Sequence, residues 1–185
     1  MKEETTPERL LAQFEPQKSW PIHEWAPTQE MDIGLSIDRS GRWFYKGSEI
    51  TRERMLKFFA SLLVLEKDQY FLITPQIRYP IFVEEYPLMA IDIESQGQGE
   101  ERRIYLLTNM DDIVLVNRDN PLRFEQNPAT GQVLPTVQVR DNLKAKLTRS
   151  VYYQLVDLAV ETPRDFPDDG SDFHVWSDGE RFCMT

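Results

Sequence analysis

The sequence predicts an α+β fold of two β-rich halves, each a curled, mostly antiparallel sheet packed on one long helix. Three observations lead there. Proline is absent from Thr28 to Thr74 and again from Thr136 to Thr162, and each window holds an apolar pattern of helical period. Short β-branched or aromatic segments bounded by turn residues fill most of the remainder. Gly41 and Gly131 each lie ten residues ahead of a helix-capping residue, Thr51 and Asp141, as in a duplicated arrangement.

The first 27 residues carry Pro7, Pro16, Pro21 and Pro27 and read as an N-terminal arm, with Trp20, Ile22 and Trp25 available to pack on the body. The N-terminal half is expected over 28–86, with a helix from the N-cap Thr51 to about Glu66. Met55, Phe58, Phe59, Leu62 and Leu63 form its buried stripe. The C-terminal half is expected over 87–185, with the boundary within 86–101 and a helix from Asp141 to about Glu161. Strands are expected at Leu35–Asp38 and Arg42–Tyr45 around the turn Arg39-Ser40-Gly41, then at Tyr70–Thr74, Ile81–Glu84 and Leu88–Ile93. Ile104–Thr108, Ile113–Val116, Gln132–Val139, Phe173–Trp176 and Arg181–Met184 complete the set.

Composition narrows the function. A chain of 185 residues with 41% hydrophobic residues and 11% aromatics builds a true core. Its formal net charge of -10 repels nucleic-acid backbones, because polymer affinity comes from Lys and Arg neutralising phosphates. Cys183 is the one cysteine and His23 and His174 the two histidines, too few for a disulfide, a thiolate cluster or a haem; no metal or cofactor is expected. The start has no apolar signal segment, and nothing approaches the roughly 20 apolar residues of a membrane span, so the expectation is a cytoplasmic protein away from membranes.

On a helical wheel of about 100° per residue, Leu143, Leu147, Val151, Leu155 and Leu158 make one apolar face of the second helix. Ala145, Tyr152, Tyr153, Val156 and Val160 make another, with Arg149 at its centre. A helix apolar on two faces is expected between two layers, and a guanidinium held there needs an anion. That anion is either a structural carboxylate such as Glu84, Glu85 or Asp92, or a phosphate or carboxylate ligand. Arg140 and Lys144 sit at the expected N-terminal end, which favours anions; their plain reading is a solvated basic turn.

Trp176-Ser177-Asp178-Gly179 reads most simply as a hairpin, and its functional version has Trp176 or Ser177 facing a ligand. Thr74, Arg78 and Asn109 lie at strand ends and offer polar contacts. The ligand-contact candidates are therefore Arg149, Arg140, Lys144, Tyr152, Trp176, Ser177, Asn109 and Arg78. His174, Ser177 and Asp178 crowd one strand and turn, unlike a catalytic triad. Asp168-Asp-Gly-Ser-Asp172 lacks the closing glutamate of a calcium loop, and Gly97-Gln-Gly99 lacks the third glycine of a dinucleotide loop. No enzyme is expected.

Several segments resemble one bacterial family: Asp38-Arg-Ser-Gly-Arg-Trp-Phe-Tyr-Lys-Gly47, Arg54-Met-Leu-Lys-Phe-Phe-Ala-Ser-Leu-Leu63 and Tyr70-Phe-Leu-Ile-Thr-Pro75. Val139-Arg-Asp-Asn-Leu-Lys-Ala-Lys-Leu-Thr-Arg149 through Tyr153, and Val175-Trp-Ser-Asp-Gly179, continue the series in order. They are similar to the domain-of-unknown-function family 1285. That resemblance implies two related β-rich halves, the C-terminal one superficially like a pleckstrin-homology barrel. It also implies non-enzymatic binding of a nucleotide-like or other anionic small molecule between the halves, in signal transduction; the alternative is an adaptor for a protein partner. The chain departs from the family pattern at Leu134-Pro135-Thr136, where an aromatic is expected after the proline, and at His174, where a glycine is usual. The net charge carries one prediction of its own: the protein is not retained by DNA or RNA at physiological salt, which a salt-resistant gel shift would overturn.

Overall fold

The structure is a computed structural model that describes residues 6–7, 20–126, 131–160 and 173–184. Most of the expected arm, the expected helix end at Glu161 and the acidic loop Asp165–Asp172 lie outside those residues. The chain divides into two units, Met1–Pro87 and Leu88–Thr185.

In the N-terminal unit, β1 (Gln29–Glu30), β2 (Leu35–Ile37), β3 (Trp43–Tyr45) and β4 (Ser48–Glu49) precede α1 (Glu53–Ser61). β5 (Leu63–Glu66), β6 (Gln69–Ile73) and β7 (Ile77–Val83) follow it. The strand order is β4-β3-β2-β7-β6-β5, with β1 alongside β7. Two antiparallel meanders thus meet at one parallel pairing, Leu35 opposite Ile81 and Ile37 opposite Val83. The expected turn at Arg39-Ser40-Gly41 is held by Asp38, whose Oδ1 accepts the amides of Ser40 and Arg42 at 2.9 and 3.0 Å. Burial presses the Asp38 carboxyl up, but the Arg42 backbone and guanidinium donors and the Ser40 amide outweigh it and hold it below the ordinary aspartate value.

The first helix is shorter than expected. It begins after Arg52, whose carbonyl accepts the amides of Met55 and Leu56, and it ends at Ser61. Leu63–Glu66 is a strand instead, because it closes a hairpin with Gln69–Ile73. The turn between them, Lys67-Asp68, has both φ angles positive, at 47° and 66°. That geometry matches the twist of the strands, yet it is normally announced by Asn-Gly or Asp-Gly, and Lys-Asp hides it from the sequence. Phe59 and Met55 are buried and Phe59 stacks on Trp43, with centroids 6.1 Å apart. From the arm, Trp20 lies half-buried against Phe58 at 6.3 Å and against Trp25 at 6.1 Å.

In the C-terminal unit, β8 (Leu88–Gln96), β9 (Arg103–Thr108), β10 (Ile113–Leu115), β11 (Leu122–Gln126), β12 (Val133–Arg140) and β13 (Leu143–Leu147) precede α2 (Arg149–Val160). The hairpin of β14 (His174–Ser177) and β15 (Glu180–Cys183) ends the unit. The order β10-β9-β8-β13-β12-β11 repeats that of the first sheet strand for strand, again with a central parallel pair, Ala145 opposite Leu88 and Leu147 opposite Ala90. In the first unit the helix falls between the two meanders; in the second it follows both. The correspondence between Gly41–Thr51 and Gly131–Asp141 read from the sequence is therefore not the structural one.

The second helix also starts late. Asp141, expected as its cap, sits in the left-handed region at φ 46° and forms a turn with Asn142 between β12 and β13. Leu143-Lys-Ala-Lys-Leu147 alternates buried and half-buried side chains, the period of a strand. Thr148 is the working cap, its hydroxyl accepting the Val151 amide at 3.4 Å and its carbonyl the Tyr152 amide at 2.9 Å. Leu143 and Leu147, four apart, share one face in a helix or a strand, which is why the helical wheel absorbed them. From Arg149 onward only one face is buried, through Val151, Leu155 and Ala159. Arg149, Ser150, Tyr153, Gln154 and Asp157 are exposed. The helix is not sandwiched between two layers.

The second sheet curls strongly. Arg140, at the end of β12, reaches Asp112, beside β10, with Nη1 3.5 Å from Oδ2. In a flat sheet, strands four places apart would lie about 19 Å from one another. The β14–β15 hairpin turns through Asp178-Gly179 and is locked to this sheet by Ser177, which is fully buried. Its hydroxyl accepts the Ile104 amide at 2.9 Å and donates to the Val116 carbonyl at 2.6 Å.

Two expectations follow. Ser177→Ala strands a buried amide and a buried carbonyl, so chemical denaturation should show a loss of about 1–3 kcal/mol; a change below about 0.5 kcal/mol would mean that the hydroxyl is not the lock. Replacing Lys67-Asp68 with Asn-Gly relieves two left-handed non-glycine residues and should raise stability by on the order of 1 kcal/mol. A lower melting temperature would contradict the turn assignment.

Candidate functional site

Three strands of the C-terminal sheet set out the candidate site. Val137 on β12 and Ala145 and Leu147 on β13 face the core, so their neighbours Thr136, Lys144 and Lys146 lie on the opposite face. Pairing places Arg123, Thr136, Lys146 and Met89 in one row across β11, β12, β13 and β8. The row on one side pairs Glu125 with Leu134, and the row on the other pairs Gln138 with Lys144. Lys144 Nζ bonds Glu125 Oε1. This ion pair joins the two outer rows and so runs diagonally past Thr136. Thr136 is 0% exposed, and its hydroxyl has no hydrogen-bond partner among the described residues. The arrangement sets three cationic side chains and the Glu125 carboxylate on the face that carries one buried hydroxyl.

Of the residues expected from sequence, Lys144 belongs to this face and Arg140 ends the same strand as Thr136, engaged with Asp112. The others lie apart. Arg149 is the first residue of α2 and exposed, with no ion pair among the described residues. Its expected burial fails because the helix begins there, leaving no preceding turn to set it into an interior face. Among the described residues of this unit the buried arginine is Arg102, 5% exposed, which donates through Nη1 to the Leu158 carbonyl at 2.9 Å. A cation suits that helix end, where carbonyls lack partners and the dipole is negative.

Ser177 spends its hydroxyl on Ile104 and Val116 and has no donor left for a ligand. Trp176 is half-buried with its ring edge-on to His174, 6.3 Å between centroids. Tyr152 is half-buried, packed on the core and beside Tyr153. Asn109 is drawn into the sheet: its Oδ1 accepts the Met89 amide at 3.0 Å and its own amide donates to the Met89 carbonyl at 2.8 Å. Arg78 belongs to the N-terminal unit, where Nε is 2.8 Å from Glu30, Nη1 3.6 Å from Glu66, and the guanidinium lies over Phe71. Its carboxylates are supplied from within.

Arg123 and Lys146 were not among the ligand-contact candidates, and Thr136 entered only as a departure from the family pattern at Leu134-Pro135-Thr136. The signal for Lys146 was the alternation in Leu143–Leu147, which puts Lys144 and Lys146 on one side once the segment is read as a strand; Arg123 and Thr136 are placed there only by strand pairing. Among the described residues no group of three or more His, Cys, Asp or Glu side chains could hold a metal ion, and no helix is long and apolar enough to cross a membrane.

Known proteins resemble the chain along nearly all of its length. The model of the DUF1285 N-terminal domain, a domain of unknown function, matches residues 20–86, and that of the DUF1285 C-terminal domain matches residues 87–184. A DUF1285 family protein from Silicibacter pomeroyi superposes with a TM-score of 0.86 at 34% identity, covering 96% of this chain and 93% of that one. One from Shewanella baltica gives a TM-score of 0.54 at 24% identity, covering 68% of this chain and 91% of that one, a likeness of fold alone. None of the curated proteins matches the chain. Both domain matches, in order and nearly end to end, establish that the chain belongs to the DUF1285 family.

Proposed function

We propose that this chain is a non-enzymatic module that binds a nucleotide-like or other anionic small molecule, with a role in signal transduction. The observation that carries the reading is the grouping of Arg123, Lys144 and Lys146 on one face of β11–β13, in a chain whose formal net charge is -10. A strongly acidic protein repels anions at long range, so a local concentration of cations is where one could be held. The matched strand order of the two sheets supports reading the units as copies of one arrangement. Two meanders followed by a helix support a superficial likeness of the C-terminal unit to a pleckstrin-homology barrel.

The adaptor reading draws on Phe82 and Ile113, exposed at 66% and 74%. Of the arm that this reading also invokes, Trp20 and Trp25 are half-buried, Trp20 against Phe58 of its own unit.

A melting-temperature screen of the full chain against nucleotides and phosphorylated metabolites separates the two. A ligand at 100 times its Kd stabilises the fold by about 2.7 kcal/mol, and Lys144→Met and Lys146→Met should each reduce that shift. A melting temperature unmoved by every anion in the panel would remove the ligand reading.

A further inference from the structure

We propose that Thr136, Arg123, Lys144 and Lys146 form a site for a phosphate or phosphate-monoester group, and that the Glu125 carboxylate occupies that group's place until a ligand displaces it. The proposal rests on the anion-binding reading above and gives it a position, a ligand class and a built-in competitor. It joins two independent observations. Thr136 is fully buried, and its hydroxyl has no partner among the described residues, an uncommon state for a polar atom removed from water. The cross-strand register then sets Arg123 and Lys146 on either side of it and carries the Lys144–Glu125 pair across the flanking rows.

Charge selects the ligand class. Of the four ionisable side chains Arg123, Glu125, Lys144 and Lys146 on this face, three are cationic, which favours an anionic group. A tetrahedral oxyanion offers several acceptor oxygens at once. It can take the Thr136 hydroxyl proton and the ammonium donors together, whereas Glu125 is tethered to β11 and bonds Lys144. Both Lys144 and Glu125 are partly exposed, with side chains 31% and 43% accessible, so the pair can open towards solvent without unfolding the sheet. An exposed pair of this kind is weakly held, which suits a gate.

The test titrates the full chain with inorganic pyrophosphate, inorganic phosphate and adenosine monophosphate at constant ionic strength, by calorimetry. Glu125→Gln removes the competitor and should tighten pyrophosphate binding about fivefold. Glu180→Gln, an exposed carboxylate on β15, makes the same change in net charge and should leave the affinity within about twofold. Thr136→Val should weaken binding at least about tenfold, while its melting temperature without anion stays equal to or above that of the parent, since an unpaired buried hydroxyl gives way to a methyl of the same shape. Should Thr136→Val not fold, Thr136→Ser, which keeps the hydroxyl, must retain binding and Lys144→Met must lose it. Tighter binding of adenosine monophosphate than of inorganic phosphate assigns the site to an organic monoester; the reverse order assigns it to the free ion.

If no anion binds either the parent or Glu125→Gln, the ligand-binding function falls together with the site. If anions bind, but Glu125→Gln tightens no more than Glu180→Gln, or Thr136→Val binds like the parent, the function stands and this site is wrong.

Discussion

Each sheet depends on one parallel pairing at its centre, β2 with β7 and β8 with β13. Parallel neighbours cannot be joined by a tight turn, so everything between them in sequence is a crossover: β3 to β6 in the first unit, β9 to β12 in the second. Several core-facing members of these pairs, Ile37, Leu88, Ala90 and Ala145, are at 0% exposure, as expected of parallel strands covered on the core side. These contacts join residues far apart in sequence, so the pairing has to form against the entropy of closing a long loop. Once made, it sets which strand lies at each edge and which face each side chain takes.

The candidate site inherits its geometry from that pairing. Lys146 stands opposite Met89 because β13 runs beside β8, and opposite Thr136 because β12 returns antiparallel through Asp141-Asn142. A register slip of one residue would turn Lys144 and Lys146 into the core and expose Leu143, Ala145 and Leu147. The same apolar alternation that fills the interior thus fixes the cations on the other face. The curl that brings Arg140 to Asp112 belongs to the same sheet, so the end of β12 is tied to the β9–β10 turn as well as to its neighbours.

Helix placement shows how one sheet plan accepts two different additions. α1 interrupts the first crossover and lays Phe59 on Trp43; α2 follows the completed second sheet and covers Leu88 and Ala90 with Val151 and Leu155. The C-terminal hairpin then closes over β9 through Ser177. A hydroxyl with both of its hydrogen-bonding roles used inside a core is a structural part, whatever its neighbourhood in sequence implies. The unpaired hydroxyl of Thr136 is the opposite case.

Much of the fold was legible in the sequence, where local chemistry decides conformation by itself. Asp38 with Ser40 and Gly41 made one hairpin and Asp178-Gly179 another, because those side chains and that backbone freedom act within a few residues. The apolar stripe of Met55, Phe59 and Leu62 and the acidic net charge were equally plain. The tertiary structure decided what local signals leave open. Lys67-Asp68 turns left-handed only because strands on both sides demand it, and Leu143–Leu147 is a strand only because β8 and β12 offer partners for its backbone. Arg149 therefore stands at a helix start in solvent, while Arg102, unremarked in the sequence, is a buried cation. A four-residue spacing serves helix and strand alike, and a residue's face depends on hydrogen-bond partners that lie tens of positions away.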